Sequence, residues 1–144
     1  MNYRQEGFQE TEFPKEKGIV YIIVINYRGK VIPLYIGQTG RSVGRVGDYI
    51  AGKYSASTDF KVSKAVEYLR EKNYEVKIQS KRSSEDPKER RAEEKRLINY
   101  FRTKKYVLLN DLKGYNYKNK ETNEKKERQK VCNFIDDKFL KSIK

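Results

Sequence analysis

The side chains that could do chemistry in this sequence are phenols, a guanidinium, one oddly placed carboxylate and an amide. Tyr21 follows Gly18-Ile19-Val20, and Tyr35 opens Tyr35-Ile36-Gly37. Strands favour tyrosine, so each of the two is first of all a good strand former. Arg45 and Tyr49 stand four apart, on one face if their segment is helical, and Arg41 joins them one turn earlier. Such a run also describes a solvated basic helix. Glu94 precedes Leu97, Ile98 and Phe101 by three, four and seven residues. On a helix this spacing sets a carboxylate inside an apolar stripe. There it must pair with a cation or hold a metal ion, because burying it bare is costly; a salt bridge to an arginine would serve equally. Neighbouring Glu93 lies about a quarter-turn away and reads as an ordinary surface residue. Asn110 closes the apolar run Val107-Leu108-Leu109 and also suits a turn.

Composition narrows the chemistry further. Thirty-three Lys and Arg against 20 Asp and Glu leave a formal net charge of +13. Self-repulsion on that scale weakens a compact state, and a polyanionic partner is the usual reason to tolerate it. Nucleic acid comes first, ahead of an anionic membrane surface or a merely charged exterior. The chain has no histidine, which removes every scheme built on an imidazole base. Its single cysteine, Cys132, excludes an internal disulfide and, without histidine, a His/Cys zinc cluster. No apolar run approaches the ~20 residues that span a bilayer, and residues 1–17 lack the apolar centre of a secretory signal. These features predict a cytoplasmic protein with no membrane partner.

The elements that must position these residues follow from periodicity. Residues 1–17 read as an arm. Gly18 to Asn26 and Val31 to Ile36 read as two strands joined at Gly29, with Pro33 marking an edge or a bulge. A helix is expected near 42–51, despite glycines at 40, 44, 47 and 52. A second helix runs from Asp59 to about Lys72, with Val62, Val66 and Leu69 at helical spacing. Tyr74, Val76 and Ile78 alternate as a third strand. Asp86-Pro87 with Glu89 makes a strong helix start, running to about Arg102. Residues 107–109 form a short strand or buried segment, and residues 131–140 an amphipathic piece. The whole is α+β: a small, mostly antiparallel three-stranded sheet flanked by helices. One domain over 18–114 carries a basic C-terminal extension over 115–144, packed on the domain or on DNA.

Taken together, these residues resemble the GIY-YIG nuclease superfamily. That family has a GIY-like segment on one strand, YIG on the next, an arginine ten residues after the YIG tyrosine, a later helix glutamate and then an asparagine. This chain reads Gly-Ile-Val-Tyr at 18–21, LYIGQT from Leu34 to Thr39, then Arg45, Glu94 and Asn110, so the match spans residues 18–110. Two departures stand out. The first motif has one extra residue, and the family's phenol is aligned with Tyr21 because the chemistry uses a hydroxyl. Tyr49 occupies a place that is histidine in several members.

The resemblance implies phosphodiester hydrolysis with one divalent metal ion, Mg²⁺ or Mn²⁺, held by Glu94. Arg45 would neutralise the non-bridging oxygens. Tyr21 is assigned the water-activating role, with Tyr35 and Tyr49 as hydrogen-bonding partners and Asn110 as a brace. Arg41, Lys53, Lys61, Lys64, Lys81 and Arg82 are candidate phosphate contacts. The expected substrate is double-stranded DNA, cut by a restriction-type or a phage- or mobile-element-encoded enzyme, possible as a homodimer. The competing readings are a catalytically inactive basic nucleic-acid-binding module of the same fold and a structural protein seated on ribosomal RNA.

Overall fold

The computed structural model describes residues 8–10, 18–40, 57–112 and 124–144. The helix expected near 42–51 lies outside the described residues, as do Arg41, Arg45, Tyr49 and Lys53. The architecture is α+β, with an antiparallel sheet between helices. Strands β1 (Gln9–Glu10), β2 (Ile19–Tyr27), β3 (Lys30–Thr39) and β4 (Glu75–Arg82) are ordered β1-β4-β2-β3. The three long strands are those the sequence predicts. The two-residue β1 is an addition: part of the expected N-terminal arm pairs Gln9 with Ser80 and Glu10 with Gln79, and Phe8 is buried beside it.

Strand β2 is central, which explains its nearly unbroken apolar run: both faces are covered. Its odd residues Ile19, Tyr21, Ile23 and Ile25 enter one core, and its even residues Val20, Ile22 and Val24 enter another. The hairpin to β3 turns through Arg28 and Gly29, with φ of 52° and 78°, the left-handed pair that a two-residue turn of matching twist requires. At Pro33 the pairing slips: Ile23 faces Tyr35 but Val24 faces Pro33, leaving Leu34 as the extra residue of a bulge. This slip decides where Tyr35 points. Ile32 and Tyr35 are three apart yet share the odd face, because the bulge absorbs one residue.

Helix α1 (Ser57–Glu71) covers the odd face with Val62, Ala65, Val66 and Leu69. Helix α2 (Pro87–Thr103) covers the even face with Leu97 and Phe101. Asp86 caps α2, accepting from the Lys88 N–H at 3.1 Å, with Pro87 in the first turn, as the sequence predicts. Helix α3 (Glu124–Phe134) joins α1 on the odd face and runs through a π-helical turn (Ile135–Phe139) into α4 (Leu140–Ile143). That turn has a packing reason. On a regular helix Leu140 would stand about 140° round from Ile135; one extra residue in the turn cuts this to about 40°. Val131, Ile135, Phe139 and Leu140 thus all reach the odd-face core. The described part of the C-terminal extension, residues 124–144, is thus packed on the domain and contributes to its odd-face core.

Of the two alternatives expected at 107–109, a short strand or a buried segment, the second holds: Leu108 and Leu109 are fully buried, Leu108 is extended, and the chain then turns as a 3-10 helix, Leu109–Asp111. It adds no strand to the sheet, but sets one side chain against the outer edge of β3 at a single residue.

Candidate active site

That side chain is Asn110. Its Oδ1 accepts from the Ile36 N–H at 2.9 Å, and its Nδ2 donates to the Ile36 carbonyl at 2.8 Å. One amide thus mimics a neighbouring strand at the middle residue of Tyr35-Ile36-Gly37. The 3-10 turn that presents it is tied to α2 by Arg102 Nε donating to Asp111 Oδ1 at 3.0 Å.

The two phenols meet the same three residues from the odd face. Tyr21 pairs with Gly37 across the strands, and its ring lies over that glycine. A Cβ on Gly37 would sit 2.3 Å from Tyr21 Cζ and 2.4 Å from Oη. The glycine is there because the phenol fills its place, and the hydroxyl reaches across β3 towards the free edge of the sheet. The Tyr35 ring lies 6.4 Å from Tyr21, tilted by 42°. Lys61 on α1 is buried, with Nζ 5.9 Å from the centroid of the Tyr35 ring. Tyr21 is 1% exposed and Tyr35 7%, so both sit in a low-dielectric setting where a nearby cation acts strongly.

Glu94 approaches from the other face. Helix α2 packs on the even residues of β2 and on Ile36, so the sheet stands between its backbone and the two phenols. Two contacts fix how the helix is turned. Arg90 Nε donates to Gln38 Oε1 on β3 at 2.7 Å, whereas Glu93 pairs with Lys81 on β4 at 3.2 Å. Glu94, one turn beyond Arg90, shares its side of the helix and so stands on the β3 side. Burial pushes its carboxyl above the usual carboxylate range, partly offset by Arg91. The phenols and the carboxylate therefore approach β3 from opposite faces, and anything touching both has to lie across its free edge.

Sequence reasoning passed over two residues here. Arg90 is 6% exposed; besides Gln38, its Nη1 donates to the carbonyls of Ser84 at 3.1 Å and Glu85 at 2.9 Å. It locks the start of α2 to the end of β3. Arg90, Glu94, Leu97 and Phe101 fall on one helical stripe, but the stripe alone does not separate a buried arginine from a surface one. Glu93 is no ordinary surface residue: it is half-buried, and its Oε1 has no hydrogen-bond partner among the described residues.

The expected phosphate contacts fare unevenly. Lys61 is packed against Tyr35 rather than standing on the surface. Lys64 lies 3.6 Å from Glu67 and over the Phe60 ring at 5.6 Å. Lys81 is engaged by Glu93 and lies 5.4 Å over the Phe8 ring. Local packing with carboxylates and aromatic rings has claimed these three ammonium groups. Arg82, at the end of β4, is exposed.

Among the described residues no group of three or more His, Cys, Asp and Glu is placed to cage a metal ion. One half-buried carboxylate still suits Mg²⁺, which keeps most of its waters and binds through one or two carboxylates plus substrate phosphate. Cys132 is buried, and burial raises its thiol pKa, the opposite of a reactive thiolate. Among the described residues no helix is long and apolar enough to cross a membrane. No family model, curated protein or solved structure matches the chain.

Proposed function

We propose that this chain is a metal-dependent endonuclease of GIY-YIG type that hydrolyses DNA phosphodiester bonds across the free edge of β3. One observation carries the reading. Tyr21 and Asn110, far apart in sequence, meet on the consecutive residues Tyr35, Ile36 and Gly37 of an edge strand, while Glu94, one turn beyond Arg90, lies towards β3. A sheet needs no such gathering for its stability alone.

The chain's own residues divide the work. As phenolate, Tyr21 positions the attacking water and takes its proton as the water oxygen bonds to phosphorus. The bond from phosphorus to the leaving sugar oxygen breaks, and that oxygen takes a proton from solvent. Free tyrosine titrates near ~10, so a cation beside the phenols is needed to favour the phenolate; buried Lys61 supplies one at Tyr35. Arg45 and Tyr49 complete the set in the resemblance, the guanidinium donating to non-bridging phosphate oxygens. Asn110 holds the edge strand in place and takes no part in proton transfer. When bound at Glu94, a single Mg²⁺ or Mn²⁺ supplies charge neutralisation at the scissile phosphate. Cutting both strands of a duplex calls for two such sites, which a homodimer supplies. A cytoplasmic setting accords with the composition.

The near-complete burial of Tyr21 favours a second reading, a catalytically silent nucleic-acid-binding module. Nicking of a supercoiled plasmid in Mg²⁺ separates the two. Wild type nicks, and Glu94→Gln is at least ~100-fold slower, the loss expected for a group that acts at the reacting centre. The variant also carries its own folding control. Burial raises the Glu94 pKa in the folded chain, so its contribution to stability is full at low pH and is lost as pH rises through that raised value. Glu94→Gln should therefore be no less stable than wild type at neutral pH in the absence of metal, and a matching urea midpoint excludes unfolding as the cause of lost nicking. A wild-type chain that cuts nothing in Mg²⁺ or Mn²⁺ leaves the binding module as the answer.

A further inference from the structure

Helix α3 buries Glu127, Val131 and Cys132 and turns a different set of side chains outwards. Lys125, Lys126, Gln129 and Asn133 are exposed and Lys130 is half-exposed. At 100° per residue the five occupy an arc of about 140°. The acidic residue between them is withdrawn: Glu127 is 5% exposed, and Lys130 Nζ leans onto its Oε1 at 3.1 Å. Arg128 is likewise taken out of the arc, bonded to Glu67 and Glu71 of α1. From 125 to 133, what faces outwards is cationic or amide.

The two amides are linked. Gln129 Nε2 donates to Asn133 Oδ1 at 2.8 Å, which leaves the Gln129 carbonyl as an acceptor and the Asn133 amide nitrogen as a donor, one helical turn apart. An acceptor beside a donor matches the donor and acceptor that adenine presents in the major groove, and that groove is wide enough for one α-helix. We propose that the outer face of α3 is the element that grips double-stranded DNA, with Lys125 and Lys126 on phosphates and the Gln129–Asn133 pair on base edges. The inference rests on the reading of this chain as a DNA enzyme but concerns binding rather than cleavage. Charge decides the occupant: the face offers no apolar anchor for a protein partner and no aromatic ring on which single-stranded bases would stack.

The test is equilibrium binding of the full chain to labelled duplexes of mixed sequence, with divalent metal chelated so that nothing is cut. Lys125→Glu/Lys126→Glu lowers duplex affinity at least about tenfold and reduces the slope of log affinity against log salt by about two. Gln129→Ala/Asn133→Ala leaves that slope in place, but recovered sequences lose a preference worth about five- to 150-fold. Circular dichroism matching wild type excludes loss of the helix. An unchanged affinity in the charge-reversed variant overturns the proposal, as does equally tight binding of RNA. A protein that holds duplex through α3 and never nicks it keeps this inference while losing the hydrolase. A protein that nicks normally with α3 altered does the reverse.

Discussion

Gly37 has no room for a side chain because the Tyr21 phenol occupies the space where one would stand. Gly37→Ala brings a Cβ within 2.3 Å of that ring, and a ring with 1% exposure in the core cannot swing aside cheaply. The expected cost is about 3 kcal/mol, at the upper end for overpacking, read from urea denaturation. Removing the ring as well, in Tyr21→Ala/Gly37→Ala, should cost clearly less than the two single changes added, since both act on one contact. Additivity would show that the two residues are not coupled. This coupling explains why tyrosine and glycine types were legible in the sequence while their relation was not: a phenol 16 positions away fills the glycine's missing volume only once the strands are in register. Glu94 was legible from its stripe. Arg90, on the same stripe, was not, because a long cationic side chain near a helix start reads as surface until its three acceptors are seen.

At the scale of elements, what matters is that β3 is an edge strand whose middle residue is sealed by Asn110. An unpaired edge invites association with other chains, and here the amide answers the backbone N–H and carbonyl of Ile36 together. Asn110→Ala leaves both groups without their partner and should cost about 2 kcal/mol, again measured in urea. Asn110→Asp should not restore it, because a carboxylate cannot donate to the Ile36 carbonyl. Full rescue by aspartate would mean that only one of the two hydrogen bonds matters. The strands and the helices starting at Ser57 and Pro87 were readable because period and caps are local. The 3-10 turn at Leu109–Asp111 was not, since its extended approach reads equally as a strand or a buried segment until the sheet is assembled. The π-helical turn was hidden for a similar reason: it exists to bring Leu140 onto a core that only the assembled sheet defines.

At the scale of the whole molecule, the two cores meet along β2 and the charge spreads over everything outside them. A net +13 acts on folding and on binding with opposite signs, and salt should pull the two apart. Like charges crowded on a small surface destabilise the compact state, and ions screen them; the Debye length falls from ~30 Å at 0.01 M to ~8 Å at 0.15 M. Thermal stability should therefore rise as salt is added through this range. The paired surface carboxylates work against this trend, for screening weakens Lys77–Glu75 or Arg128–Glu71 as well. Exposed pairs of this kind contribute only ~0–1 kcal/mol each, so the uncompensated excess should decide the sign. Polyanion binding runs the other way, because each phosphate contact releases condensed counterions; six to ten contacts lose about 10³–10⁵ in affinity between 50 and 200 mM. Melting curves and duplex titrations over one salt series should thus slope in opposite directions. If affinity does not fall as salt is added, the excess positive charge is not what nucleic acid recognises; if melting temperature falls instead of rising, the ion pairs outweigh the self-repulsion.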